Sequence, residues 1–165
     1  MKRAGLISKI IFPILTLLWM GLIFFFSGQN AAESGGLSGS IVKTLVTFFY
    51  GDSFISLPLD KQNEILSIWS LVIRKGAHFS IFGVLGVLSF FSVYSFYKSN
   101  YSYLIAIAIT FLYACSDEFH QTFVSGRAGM FTDVLIDTSG GIVFLAVLFL
   151  ILWGIKSHRL KNKRE

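Results

Sequence analysis

Three polar clusters interrupt a sequence that is otherwise strongly apolar, and their residue types could bind an anion, transfer a proton or hold a metal. The clusters are Arg74, Lys75 and His78; Asp117, Glu118, His120 and Gln121; and Arg127, Asp133 and Asp137. Each cluster contains a pair spaced three or four positions apart, as in His78 after Arg74 and Asp137 after Asp133, so on a helix the members of such a pair share a face. A charge costs about 2.5–3.5 kcal/mol at the centre of a membrane helix on insertion scales. These side chains are therefore candidates for function.

The elements that must position the clusters are membrane-spanning helices. Hydrophobic residues make up 54% of the 165 residues, charged residues only 14%, and the mean hydropathy is +0.69. A span needs roughly 17–25 residues. Segments of suitable length and composition are 7–26, 76–96, 101–119 and 134–153. We therefore predict an all-α, polytopic membrane bundle of four transmembrane helices, forming a single domain over 1–165.

The distribution of Lys and Arg predicts the orientation of the bundle. The start of the chain, Lys98 and the tail 154–165 lie on one side of the membrane with a net charge of +8, whereas the other side carries −3. The positive-inside rule then places both termini in the cytoplasm and the three polar clusters at the outer face. The basic tail is explained as a topology signal and an anchor to anionic lipid, so the overall charge of +5 does not indicate a nucleic-acid partner.

The outer segment 27–75, between the first two spans, is predicted to contain short helices. Apolar residues recur at helical spacing at Ile41, Leu45, Phe48 and Phe49, with Val42 and Val46 beside them. This pattern indicates an amphipathic helix lying on the bilayer surface. Gly51 should end it, and Pro58 should begin a second helix that continues into the next span. The apolar face of that second helix would consist of Ile65, Leu66, Trp69, Val72 and Ile73.

Small residues indicate where the spans approach one another. Gly76, Ser80 and Gly83 form one stripe of the second span, and the small residues 138–141 (Thr, Ser, Gly, Gly) follow Asp137 in the fourth. Thr132 is a candidate N-cap for the fourth span, with Asp133 favoured at the positive end of the helix dipole. The lone Cys115 excludes an intramolecular disulfide and is explained as a packing residue.

One interpretation of the clusters is a site for an anionic head group. Arg74, Lys75 and Arg127 would hold a phosphate or carboxylate, for which the forked donors of arginine are well shaped. The predicted substrate-binding set is Arg74, Lys75, Glu118, Gln121, Arg127, Asp133 and Asp137. If the site carries out chemistry, His78, Asp117 and His120 are the candidates for acid–base or nucleophilic work.

Two further interpretations of the same residues stay open. Imidazole and carboxylate groups could bind a divalent metal such as zinc, manganese or magnesium. The potential ligands are His78, His120, Asp117, Glu118, Asp133 and Asp137. Alternatively the clusters are purely structural, because three basic and four acidic side chains nearly balance and could lock the helix ends together. There is no H-E-x-x-H motif, P-loop or G-x-S-x-G motif to choose between them.

The ordered motifs resemble the VanZ-like family. The similarity is carried by segments 26–29, 74–79, 117–124, 126–127 and 133–140 and covers the chain from the first span to the fourth. The resemblance implies a small polytopic protein of the bacterial cell membrane, in a family whose named example is associated with resistance to the glycopeptide teicoplanin. Two positions depart from the family pattern, because Ser125 stands where proline is expected and Asp137 where asparagine is expected.

From the resemblance and the charges together, we expect a site at the outer face that binds or modifies an envelope lipid or a lipid-linked cell-wall precursor. One alternative is a non-catalytic structural or shielding protein, and another is a lipid phosphatase or transferase, which also needs anion-binding arginines at a membrane edge. A transporter is less well supported, because the inner half of the predicted bundle has almost no polar residues.

Overall fold

Helices account for nearly all of the structure. A computed structural model describes residues 2–29 and 31–162, with side chains described for 5–29 and 39–162. The described residues form α1 (Lys2–Ser27), α2 (Ala31–Tyr50), α3 (Asp52–Ile55), α4 (Leu59–Tyr97), α5 (Tyr101–Gln121) and α6 (Phe131–Lys161), and they contain no strand. The predicted all-α fold is confirmed. Lys163, Arg164 and Glu165, and the side chains of Lys2 and Arg3, all used in the charge argument, lie outside the described residues.

The four predicted spans lie within the long helices α1, α4, α5 and α6, each of which contains an apolar stretch long enough to cross a membrane. Large apolar side chains such as Leu17, Phe25 and Leu112 are exposed on their surfaces, at 68%, 68% and 66%. In water such surfaces would be costly, whereas in a bilayer they face hydrocarbon. The chain is therefore an integral membrane protein.

Helix α4 extends well beyond the membrane. Its 39 residues correspond to a length of about 58 Å at the rise of an α-helix, whereas the hydrocarbon core is about 30 Å thick. Its first part, before the predicted span at 76–96, runs without a break into that span, as the sequence predicted. The helix begins after Pro58 and ends at Lys98, whose left-handed backbone (φ 47°) turns the chain towards α5.

The two helices between the first and second spans, α2 and α3, pack on the part of α4 that precedes its span. Val42, Val46 and Phe54 are buried there. They pack against a face of α4 formed by Ile65, Leu66, Trp69 and Ile73. The predicted apolar face is confirmed except for Val72, which is 55% exposed. Phe48 is 80% exposed, whereas Phe49, which is 66% exposed, stacks on Trp69 of α4 with the ring centroids 6.3 Å apart. The end of α2 thus carries exposed aromatic side chains, as expected for a helix lying on lipid.

Glycines bring α4 and α6 into close contact. A Cβ atom at Gly140 would overlap the carbonyl group of Phe79, and a Cβ atom at Gly86 would lie 3.1 Å from the Cα of Gly141. Helix backbones approach this closely only where side chains are absent. Of the small residues predicted at 138–141 in the fourth span, Gly140 and Gly141 are the ones that make these backbone contacts.

The matching surface on α4 differs from the predicted stripe. Gly76 has open space where its Cβ would be, and Ser80 is exposed. Only Gly83 of that stripe is packed, with the Phe144 ring filling the space beside it. The prediction followed small residues in the sequence, whereas the face of α4 that meets α6 is set by how the long helix is rotated in the bundle.

The turn between α5 and α6 carries Arg127. Gly126 adopts a positive φ of 76°, and the turn ends at Met130, the N-cap of α6. No side chain caps this helix, so the prediction that Thr132 is the cap is wrong. Thr132 already lies inside the first turn of α6. It is past the position from which a hydroxyl oxygen can accept hydrogen bonds from the free N–H groups at the start of a helix.

Candidate functional site

A polar cavity of about 210 Å³ lies between α4, α5, α6 and the turn at 122–130. Its lining contains eight of the ten residues proposed from the sequence: Arg74, Lys75, His78, Glu118, Gln121, Arg127, Asp133 and Asp137. Residues more than fifty positions apart are thereby brought to one place at one end of the bundle. The geometric expectation that the three clusters converge is met for these eight side chains.

One histidine and two carboxylates lie together at the cavity, and two of these residues, His78 and Asp137, line it. His78 Nδ1 lies 3.6 Å from Asp137 Oδ2. Asp117 stands behind them, and one potential ligand atom from each of the three residues falls within 4.8 Å of the others. Asp137 is fully buried and Asp117 is 3% exposed. Of the potential metal ligands named above, the structure brings His78, Asp117 and Asp137 together.

Gln121 connects this carboxylate pair to α1. Its Nε2 donates hydrogen bonds to Asp117 Oδ2 at 3.0 Å and to Ser27 Oγ at 2.9 Å. Ser27 was not among the predicted site residues, although a polar residue directly after the apolar run of the first span was a usable signal. The contact fixes the end of α1 against α5 and holds the Asp117 side chain in one orientation.

Two other acidic residues, Asp133 and Glu118, make contacts at the N-terminus of α6. Asp133 Oδ1 accepts a hydrogen bond from Lys75 Nζ at 2.6 Å, which ties the first turn of α6 to α4. Glu118 Oε2 accepts a hydrogen bond from the backbone N–H of Met130 at 2.8 Å. Gly129 lies so close that a Cβ atom there would overlap the carbonyl oxygen of Glu118. These contacts give Asp133 and Glu118 a positioning role in the site.

His120 lies outside the cavity. Its ring packs on Phe24 of α1 with the ring centroids 4.2 Å apart, and it is not among the residues that line the cavity. The reason is helical geometry, since at 3.6 residues per turn His120 lies about 60° to one side of Asp117 and Gln121 about 40° to the other. Residues three positions apart share a broad face, but the boundary between α1 and the cavity divides that face.

Two arginines supply positive charge without an acidic partner. Among the described residues, neither Arg74 nor Arg127 forms a salt bridge. The Nε of Arg127 is buried and has no hydrogen-bond acceptor. Burial, followed by the charge of the nearby Arg74, lowers the pKa of the Arg127 guanidinium, yet an arginine remains charged in proteins. The entrance of the cavity therefore presents donors suited to an anion.

A larger opening of about 650 Å³ lies at the other end of the bundle, between α1 and α4. Lys9 and Lys98 are the charged residues in its lining, which is otherwise mostly apolar and contains no histidine or carboxylate. Such a groove suits a lipid chain with its head group near the lysines. Its residues offer no acid–base pair, so the smaller polar cavity is the candidate site.

Comparison with known proteins agrees with the motifs. The model of the VanZ/LLP1 family matches residues 12–153, which include all the long helices in whole or in large part and the entire polar cavity. No curated protein and no solved structure matches the chain. The extent of the match shows that this chain belongs to the VanZ/LLP1 family, as a VanZ-like membrane protein of a family linked to glycopeptide resistance.

Proposed function

We propose that the polar cavity binds the anionic head group of an envelope lipid or of a lipid-linked cell-wall precursor at the outer face of the bacterial membrane. The observation that carries this proposal is the buried Nε of Arg127, a charged donor with no acceptor among the described residues. Leaving such a donor unpaired costs about 1–3 kcal/mol or more. A phosphate oxygen at this point would remove that cost and would also lie beside Arg74.

The size of the cavity favours a head group over a whole lipid. At about 210 Å³ it is smaller than the roughly 300–1,000 Å³ typical of pockets that enclose a drug-sized molecule. A phosphate or diphosphate with part of a sugar is of suitable volume. The lipid chains would then remain outside, along the exposed apolar surfaces of the long helices. Such a ligand is bound at its polar end and solvated by the bilayer at the other.

The proposed orientation follows from the charge distribution, with both termini in the cytoplasm and the cavity outside. Teicoplanin acts at this face and carries a fatty chain. A protein that binds or modifies the precursor head group there would reduce the access of the drug to its target. This is how the cavity would account for the link between the family and glycopeptide resistance.

A second candidate function, a lipid phosphatase or transferase, is supported by the approach of His78 to Asp137. A carboxylate that orients an imidazole is a common arrangement for proton transfer. Asp117, held by Gln121, would be a second acid–base group or a nucleophile. The third candidate, a purely structural cluster, explains Lys75 with Asp133 but gives no partner to Arg127.

The proposal is tested by complementing a deletion strain of the host and measuring teicoplanin susceptibility. Wild type, Arg127→Ala and His78→Gln are compared at equal membrane levels, with the exposed tail variant Arg159→Ala as the matched control. We expect Arg127→Ala to lose protection and Arg159→Ala to keep it. Equal protection by Arg127→Ala and wild type would contradict the head-group site.

Binding is measured separately, with purified protein in nanodiscs and a polyprenyl diphosphate as the probe. Loss of binding in Arg127→Ala supports the anion site. If His78→Gln binds the probe as wild type does but gives no protection, the site carries out chemistry. If it binds and protects normally, the function is binding alone. Unfolding of both variants would favour the structural cluster instead.

A further inference from the structure

We propose that His78, Asp117 and Asp137 form a divalent-metal site at the base of the polar cavity, suited to Zn²⁺ or Mn²⁺. The three residues come from three different helices, α4, α5 and α6, and one donor atom from each lies within 4.8 Å of the other two. This juxtaposition is independent of any lipid ligand, so the proposal goes beyond the head-group site and does not depend on it.

The carboxylate oxygens at this point lack protein donors. Both oxygens of Asp137 are buried without a hydrogen-bond partner, and so is Oδ1 of Asp117. Asp137 has no solvent exposure at all. A buried carboxylate is normally paired or coordinated to a metal, because removing it from water without a partner is costly. Three unpartnered oxygens on two carboxylates that lie this close together indicate that something positive belongs between them.

The basic residues nearby do not fill this role. Lys75 is bound to Asp133 at 2.6 Å. The Nε of Arg127 has no acceptor, so it does not bond to these oxygens through that atom. His78 approaches Asp137 at 3.6 Å, which is longer than a hydrogen bond. The remaining positive partner that fits between two carboxylates and an imidazole is a cation.

The distances suit an ion without a large rearrangement. Zinc–ligand bonds of about 2.0–2.1 Å place tetrahedral ligand atoms roughly 3.3 Å apart, close to the 3.6 Å between His78 Nδ1 and Asp137 Oδ2. Opposite ligands of an octahedral ion are roughly 4.2 Å apart at similar bond lengths. The limit of 4.8 Å for the whole trio exceeds that by a few tenths of an ångström, which small side-chain rotations supply.

The donor set also indicates the class of metal and its role. One imidazole with two carboxylates is a set used by Zn²⁺ and Mn²⁺, whereas a Mg²⁺ site would more often use oxygen ligands alone. Three protein ligands leave at least one coordination position free, as in catalytic rather than structural zinc sites. His78 and Asp137 line the cavity, so that position faces the cavity. Gln121 donates a hydrogen bond to Asp117 Oδ2 and would orient the Asp117 carboxylate without itself binding the metal.

The test uses the purified full-length protein in detergent, stripped with EDTA and then reloaded with Zn²⁺ or Mn²⁺ alone. Bound metal is measured by mass spectrometry of the desalted protein, and thermal stability is measured with and without the ion. We expect about one ion per chain and a rise in Tm of roughly 5–10 °C at a hundredfold excess over Kd. Failure of wild type to retain either ion would overturn the proposal.

The variants distinguish this site from surface binding. Asp137→Asn and His78→Gln should bind at least tenfold less metal and lose the rise in Tm, whereas His158→Gln, in the tail, should behave as wild type. If Asp137→Asn retains the ion with unchanged affinity, the site is not the one proposed. Should His78→Gln fail to fold, Asp137→Asn still decides, because an amide without buried charge suits the metal-free pocket better than the carboxylate does. No lipid is present in this assay, so its outcome and that of the head-group experiments are separate.

Discussion

Gly140 of α6 lies directly against the backbone of Phe79 in α4, so a Cβ atom at position 140 would overlap the Phe79 carbonyl group. His78 is the residue before Phe79, and Asp137 lies about one helical turn before Gly140. The contact therefore sets the approach that leaves His78 Nδ1 3.6 Å from Asp137 Oδ2. The packing of α4 on α6 at Gly140 therefore also determines the geometry of the His78–Asp137 pair.

Replacing Gly140 with alanine should consequently disturb both stability and the site. We expect Gly140→Ala to lower the free energy of unfolding by about 1–3 kcal/mol, because the added methyl group overpacks a backbone contact. Gly154→Ala is the matched control in the same helix, since nothing lies within 4 Å of its Cβ position. The control should be neutral or more stable by up to about 1 kcal/mol. Denaturation in detergent measures both, and equal stability of the two variants would contradict the close contact.

The Gln121 side chain should be sensitive to a change of only one atom type. Gln121→Glu keeps the shape but removes the donor to Asp117 Oδ2 and Ser27 Oγ. We expect this variant to lower the free energy of unfolding by about 1–3 kcal/mol, because buried acceptors lose their donor and a second carboxylate adds repulsion. Combining it with Asp117→Asn should recover part of that loss in a double-mutant cycle. Strictly additive effects would mean that the two side chains do not interact.

The two histidines at the cavity end of the bundle, His78 and His120, should differ in function. His120 packs on Phe24, and its buried Nδ1 has no hydrogen-bond partner, so His120→Phe should keep or improve stability. It should also leave teicoplanin protection unchanged. His78→Phe should abolish protection, because this imidazole lines the cavity. Loss of protection in His120→Phe at normal membrane levels would mean that His120 does contribute to function.

The Lys75–Asp133 pair should contribute modestly to stability. Its side chains are 30% and 27% exposed, so solvent screens their attraction. A cycle built from Lys75→Met and Asp133→Asn should give a coupling of about 0.5–1 kcal/mol that weakens as salt is added. A coupling near zero at low salt would mean that the ion pair does not hold α6 to α4.

The proposed orientation can be tested with introduced cysteines in a Cys115→Ser background. Ser125 lies exposed in the turn between α5 and α6, and Asn162 is exposed just after α6. A membrane-impermeant maleimide should label Ser125→Cys in intact cells and Asn162→Cys only after permeabilisation. The reverse pattern would place the cavity in the cytoplasm and remove the proposed route to teicoplanin.

The sequence alone determined the helical class, the spans, the helices between the first two spans and eight of the residues that line the polar cavity. This was possible because hydrophobic period and length depend on local composition, and because charge is so costly in hydrocarbon that its position is informative. The ordered motifs also identified the family, which the match over residues 12–153 confirms.

Only the tertiary structure decided which neighbours those residues meet. In the structure His120 packs on α1, and the packed surface of α4 includes Gly86 and not the predicted Gly76. Ser27 accepts a hydrogen bond from Gln121, a contact that the sequence did not predict. Each of these contacts depends on the rotation of a helix about its axis. The residues three and four positions after a given residue lie on opposite sides of it, and their directions differ from each other by about 100°. That rotation is set by contacts between helices distant in sequence, which periodicity within one helix does not specify.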